Sequence, residues 1–82
     1  MNSAYVLLTT NLGTEEEVME ELRSIPDVKE IFAVYGSYDI IAIINSETTQ
    51  QIKELILTRL RRINNVKSTL TMHVVDKVSA AN

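Results

Sequence analysis

Four runs of β-branched and aliphatic residues, separated by two stretches with helical spacing, organise this chain. Residues 4–11, AYVLLTTN, predict a first strand, and Asn11-Leu12-Gly13 breaks it. Thr14-Glu15-Glu16-Glu17 then reads as a capping box, with Thr14 as the cap and Glu17 reaching back to the cap's amide. Three acidic residues in that first turn also suit the positive end of a helix dipole. Val18, Leu22 and Ile25 follow at i, i+4 and i+7, one apolar stripe, and Pro26 stops the helix by pushing its predecessor out of helical geometry.

Val28 to Tyr35 predicts a second strand and Tyr38 to Ile44 a third, joined through Gly36-Ser37 as a type II′ hairpin. Ser46 or Thr48 can cap the next helix. Its apolar face is Ile52, Leu55, Ile56, Leu60 and Ile63, with Lys53, Arg59 and Arg62 turned outward, and Asn64-Asn65 ends it. Val66 to Val75 predicts a fourth strand, and Asp76 to Asn82 a tail of polar and small residues that frays, leaving 1–82 as one domain.

The predicted order is βαββαβ. Its two halves echo each other faintly, in Ile25-Pro26-Asp27-Val28-Lys29 and Ile63-Asn64-Asn65-Val66-Lys67 at the passage from helix into strand. Two split βαβ units with right-handed crossovers give an α+β, ferredoxin-like fold: a four-stranded antiparallel sheet with two helices on one face. Two helices cover only that face. Yet the middle strands are apolar on both, Phe32 and Val34 opposite Ile31, Ala33 and Tyr35, and Ile41 and Ile43 opposite Ile40, Ala42 and Ile44. An 82-residue chain has no third layer to spend, so the expected cover is a second copy, in a sheet-to-sheet homodimer of the dimeric α+β barrel type. Which face is core and which is interface stays open at this point.

Composition narrows the function classes. With 45% hydrophobic and 23% charged residues the chain is globular, and with 5% aromatic its core is aliphatic. The net charge of −3 and pI near 5.0 argue against direct DNA binding, which needs clustered Lys and Arg. There is no cysteine, hence no disulfide and no thiolate metal site, which fits a reducing, cytoplasmic setting. No apolar run approaches a membrane span, and Met1-Asn2-Ser3 does not open a signal peptide.

Candidate chemistry is sparse. His73 is the only histidine and has no further ligands at metal spacing, so no metal or cofactor is expected. Strand alternation puts it on a face with Thr69, Thr71 and Val75, away from Ser68 and Asp76, which is poor geometry for a Ser-His-Asp relay; it reads as a surface or interface histidine. The run Glu15, Glu16, Glu17, Glu20 and Glu21 reads as a solvated helix face, and Arg59, Arg61 and Arg62 as cations favoured at a helix carboxyl end. No phosphate loop or RNP-type aromatic pair is present. What remains is the hairpin Tyr35-Gly36-Ser37-Tyr38-Asp39 and the hydroxyls of Thr69 and Thr71. Asp39 is either a turn-bracing aspartate or an acceptor for a ligand ammonium. The threonines are either ordinary β-formers or donors to a ligand carboxylate.

Val28…Val34-Tyr35-Gly36-Ser37-Tyr38-Asp39 is similar to the "V…TG-x-YD" hairpin of the Lrp/AsnC family's effector-binding (RAM) domain, and Val66…Thr69-Leu70-Thr71 to its "V…T-x-T" last strand. The resemblance covers essentially residues 4–77. Tyr35 stands where the family usually has a small hydroxyl residue, and Asn64-Asn65 where it usually has Pro-Gly. The family's helix-turn-helix is not found in these residues, so the chain resembles a stand-alone RAM protein.

The resemblance implies sheet-to-sheet dimers assembled into rings, often octamers, that bind an amino-acid effector between dimers. Tyr35, Gly36, Ser37, Tyr38, Asp39, Thr69 and Thr71 are the effector-binding candidates. It further implies a non-enzymatic role in transcriptional or metabolic regulation, including mixed assembly with a full-length Lrp/AsnC regulator. The rival class is a cofactor-independent monooxygenase or isomerase of the same dimeric barrel type. Such an enzyme needs a deep cavity within each protomer, lined by His73 or a tyrosine; a sensor needs shallow sites between subunits near Gly36 and Asp39.

Overall fold

The computed structural model describes residues 1–80. Its elements run β1 (Asn2–Thr10), α1 (Glu15–Arg23), β2 (Val28–Ala33), β3 (Ile40–Ser46), α2 (Thr49–Thr58), a 3-10 turn (Leu60–Arg62) and β4 (Val66–His73). All neighbouring strands are antiparallel and lie in the order β2-β3-β1-β4, which is the expected βαββαβ, ferredoxin-like arrangement. No element follows His73 through residue 80, and the last two residues of the expected tail lie outside the described residues.

One face of the sheet is closed. Ala4, Val6 and Leu8 of β1 alternate inward with Ile40, Ala42 and Ile44 of β3, and all are fully buried against Val18 and Leu22 of α1 and Ile52, Ile56 and Leu60 from the α2 segment. At about 25 cal/mol per Å2 of apolar surface removed from water, this aliphatic layer is the main stabilising term. The other face is open. Register places Phe32, Ile41, Leu7 and Leu70 in one cross-strand row, and Ile43, Tyr5 and Met72 in the next. Phe32 is 47% exposed, Leu70 45% and Met72 49%, so the two rows form a contiguous apolar surface that no described element covers. The choice left open by alternation is thereby made: Ile40, Ala42 and Ile44 are core, and Ile41 and Ile43 are not.

Several local expectations are corrected. Thr14 forms no capping box: its backbone sits at φ −111°, ψ 9°, and its hydroxyl donates back to the Asn11 carbonyl at 2.6 Å. The turn closed by Gly13 (φ +80°) holds the hydroxyl there, and Glu17 instead accepts from the Asn65 side chain at 3.3 Å. The reciprocal box belongs to the other helix. Gln51 N–H donates to the Thr48 hydroxyl at 3.0 Å, and Thr48 N–H donates to the Gln51 side-chain oxygen at 3.1 Å.

That second helix is shorter than its apolar stripe. The Thr58 hydroxyl donates to the Glu54 carbonyl at 2.7 Å, Arg59 caps the helix with its N–H on the Leu55 carbonyl (φ −119°, ψ −62°), and Leu60 is buried from a 3-10 turn. Asn64-Asn65 works as a turn because Asn65 takes φ 74°, a conformation that asparagine tolerates better than most residues. The faint repeat is structural: Val28 N–H donates to the Ile25 carbonyl at 3.0 Å, and Val66 N–H to the Ile63 carbonyl at 3.2 Å, the same turn twice.

The hairpin also differs. β2 ends at Ala33 and β3 begins at Ile40, with Val34 N–H donating to the Asp39 carbonyl at 2.9 Å. Four residues, Tyr35 to Tyr38, therefore make the connection in place of a two-residue type II′ turn. Its twist is absorbed at Gly36, whose φ of +147° is strained for any residue with a Cβ. Along β2 the register shifts between Val28 and Glu30, so Lys29 is an extra residue and Val28 and Ile31, three apart, both reach the covered side.

Candidate functional site

Asp39 is held by the end of β1. Its N–H donates to the Leu8 carbonyl at 2.9 Å, and its Oδ2 accepts from Thr10 N–H at 2.8 Å and from the Thr10 hydroxyl at 3.4 Å. A charge-assisted bond to a backbone amide contributes about 1.5–3 kcal/mol, so the bracing role of this aspartate is real. It braces the neighbouring strand, however, not its own turn. Its other oxygen, Oδ1, has no partner among the described residues. The carboxylate is half-buried, whereas Tyr35, Gly36 and Ser37 are exposed and Tyr38 half-buried. Apart from its two chain neighbours, no described residue comes within 4 Å of where a Cβ would stand on Gly36, so the hairpin backbone is open to approach.

Thr69 and Thr71 lie elsewhere. Thr69 opposes Leu8 and Thr71 opposes Val6, so both face the helix side, together with His73 opposite Ala4. Ser68 points to the open face and pairs with the Thr9 hydroxyl. Leu8 in turn opposes Ile40, so Thr69 is two strand spacings, about 10 Å, from the base of the hairpin. Within one chain the hairpin candidates form one group and the threonines another, and a single protomer does not bring them together.

The threonines line a cavity of about 410 Å3 between α2 and β4, whose wall also includes Lys53, Arg61 and His73. The sequence reading missed this cluster. Lys53 and Arg61 read as outward-turned and dipole-favoured cations, and nothing local ties them to β4; the signal, if any, is the polar inward face Thr69, Thr71, His73 where β1 and β3 are aliphatic. His73 lines a cavity, the feature attached to the enzyme reading, but the cavity is open-sided and contains no carboxylate or nucleophile paired with the imidazole. A roomier groove of about 560 Å3 runs between α1 and the β2 edge, where Glu16, Glu20 and Glu30 meet Arg23 and Lys29. Its one ion pair, Arg23 to Glu20 at 3.3 Å, is exposed and contributes little. Among the described residues no group of three acidic or histidine side chains is placed to hold a metal ion, and no helix is long and apolar enough to cross a membrane.

A four-stranded antiparallel sheet closed on one side by two helices, in βαββαβ order, defines a small ferredoxin-like domain. The match to the Lrp/AsnC ligand-binding domain model extends over residues 3–81, and the chain belongs to that family. It is 32% identical over 59 residues to an uncharacterised HTH-type transcriptional regulator of Pyrococcus furiosus, a match covering 72% of this chain and 39% of the regulator. The chain thus spans about two fifths of the length of the curated relative it matches.

Among solved structures, that of FFRP-DM1 superposes with a TM-score of 0.88 at 36% identity, covering 92% of this chain and 100% of that one. A transcriptional regulator of Neisseria meningitidis, solved as an L-Met complex, has a TM-score of 0.87 at 16% identity, over 96% of this chain and 53% of that one; it shares the fold.

Proposed function

We propose that residues 1–82 act as a single, non-enzymatic RAM-type domain that binds an amino-acid effector and oligomerises in transcriptional or metabolic regulation. The observation that carries the reading is the match to a regulator ligand-binding domain over residues 3–81, and the L-Met complex of the Neisseria regulator supports an amino acid as the ligand class. Two copies join through the open sheet faces, since the row Phe32, Ile41, Leu7 and Leu70 otherwise leaves a contiguous apolar patch in water. Dimers assemble further into a ring of the octameric kind, alone or mixed with a full-length Lrp/AsnC regulator. Direct DNA binding is not part of this reading, given the net charge of −3 and two helices packed on the sheet.

The effector sits between subunits. Tyr35, Gly36, Ser37, Tyr38 and Asp39 of one copy meet Thr69 and Thr71 of a neighbour, which accounts for why one chain keeps the two groups apart. The free Oδ1 of Asp39 takes the ligand ammonium, while hydroxyls take the carboxylate. A thermal-shift screen against the twenty amino acids identifies the ligand, because a specific binder raises stability by mass action. Calorimetry on Asp39→Asn then tests the site: the substitution keeps the acceptor for Thr10 but removes the charge, and the expected loss is about tenfold in affinity with the fold intact. Unchanged affinity would mean that Asp39 only braces β1.

A further inference from the structure

The chain's charge is unevenly divided. Between Glu15 and Glu30 lie seven acidic and two basic residues; between Lys53 and Lys67 lie five basic and one acidic. An acidic protein thus has a basic half, and the cavity between α2 and β4 is set into it. Lys53 and Arg61 line that cavity, and neither forms an ion pair with another described residue. The side chains of Thr69, Thr71 and His73 on the opposite wall make no hydrogen bond to any described residue. Ile56 and Leu57 contribute the apolar part, and Leu57 is 57% exposed beside it. Two uncompensated cations, two free hydroxyls and an imidazole therefore converge on one space of about 410 Å3, which is within the usual size of a small-molecule site.

We infer that this cavity binds the anionic end of a small organic acid, and that the ligand carries a net negative charge. A neutral amino acid is a zwitterion with no net charge, and its single carboxylate leaves one of the two cations without a counter-charge. A dicarboxylate, or an acidic amino acid or its oxo acid, supplies both. Lys53 and Arg61 are the counter-ions, with Arg61 able to hold a carboxylate through two parallel N–H bonds. Thr69 and Thr71 donate from β4, and Ile56 and Leu57 lie along the aliphatic chain. The inference shares Thr69 and Thr71 with the proposed effector site and rests on that reading for them, but it places the anion contacts within a single protomer.

Calorimetric titration of the whole chain with glutarate, glutamate, leucine and inorganic phosphate tests it. Glutarate has no ammonium group and so does not engage Asp39. It is expected to bind saturably, to weaken about tenfold in Lys53→Gln and again in Arg61→Gln, and to be unaffected by Asp39→Asn. Both lysine and arginine are exposed, so circular dichroism should show these variants folded. No saturable glutarate binding, or binding unchanged in both cation variants, overturns the inference. So does leucine binding tighter than glutamate, phosphate binding as tightly as glutarate, or loss of glutarate in Asp39→Asn. Glutarate binding with no amino acid active in the screen upholds the cavity and sinks the amino-acid reading. Amino-acid binding without glutarate does the reverse.

Discussion

The two faces of the sheet are built from alternate residues of the same strands and have opposite fates. On β3, Ile40, Ala42 and Ile44 are fully buried, while Ile41 and Ile43 between them are only half-buried. On β1, Val6 and Leu8 are fully buried, whereas Leu7 is half-buried and Tyr5 is 42% exposed. Side-chain hydrophobicity hardly differs between the two sets. What differs is cover: the short α1 and α2 span one face, and no described element packs on the other. Alternation makes both faces of these strands apolar, and the placement of the two helices decides which of them is covered within the chain.

The sharpest way to break this contrast is to place a carboxylate on each face in turn. Ile44→Asp buries a charge with no partner, at a cost of several kcal/mol against a total stability of about 5–10 kcal/mol for a domain of this size. Loss of the cooperative denaturation transition is expected, and a folded Ile44→Asp protein would show that the covered face is misassigned. Ile41→Asp changes a neighbour on the open side. Its circular dichroism should match the parent, while sedimentation is expected to show a monomer at concentrations where the proposed pairing makes the parent at least dimeric. A parent that is itself monomeric at micromolar concentration would remove sheet-face pairing from the proposed function.

A finer contrast lies within the covered face, between the starts of the two helices. Thr48→Ala removes a hydroxyl that accepts from Gln51 N–H and is expected to cost about 1 kcal/mol in urea denaturation. Thr14→Ala should cost less, because that hydroxyl accepts no helix amide and only donates to the preceding turn. Equal costs would mean that the acidic first turn, Glu15 to Glu17, leans on Thr14 in a way its hydrogen bonds do not reveal.

Much of the architecture was legible in the residues themselves, and for a physical reason. Element order, the inward stripe of Val18 and Leu22, the β alternation around Ile41 and the side shared by Thr69, Thr71 and His73 all follow from periods of 2 and 3.6, which neighbouring residues set. The Val28…Tyr38-Asp39 and Thr69-Leu70-Thr71 patterns pointed to the family, and the match over residues 3–81 bears that out. Only the tertiary structure settled what depends on residues distant in sequence. Lys29 is squeezed out of register by pairing with β3, Thr14 is drawn to Asn11 while Glu17 turns to Asn65, and Asp39 reaches Thr10 across 29 positions. The choice of Ile40, Ala42 and Ile44 as core came from where the helices lie, since alternation fixes which residues share a face but not which face is covered. The cluster of Lys53, Arg61, Thr69, Thr71 and His73 has the same origin: two elements, each ordinary alone, set their uncompensated groups against one space.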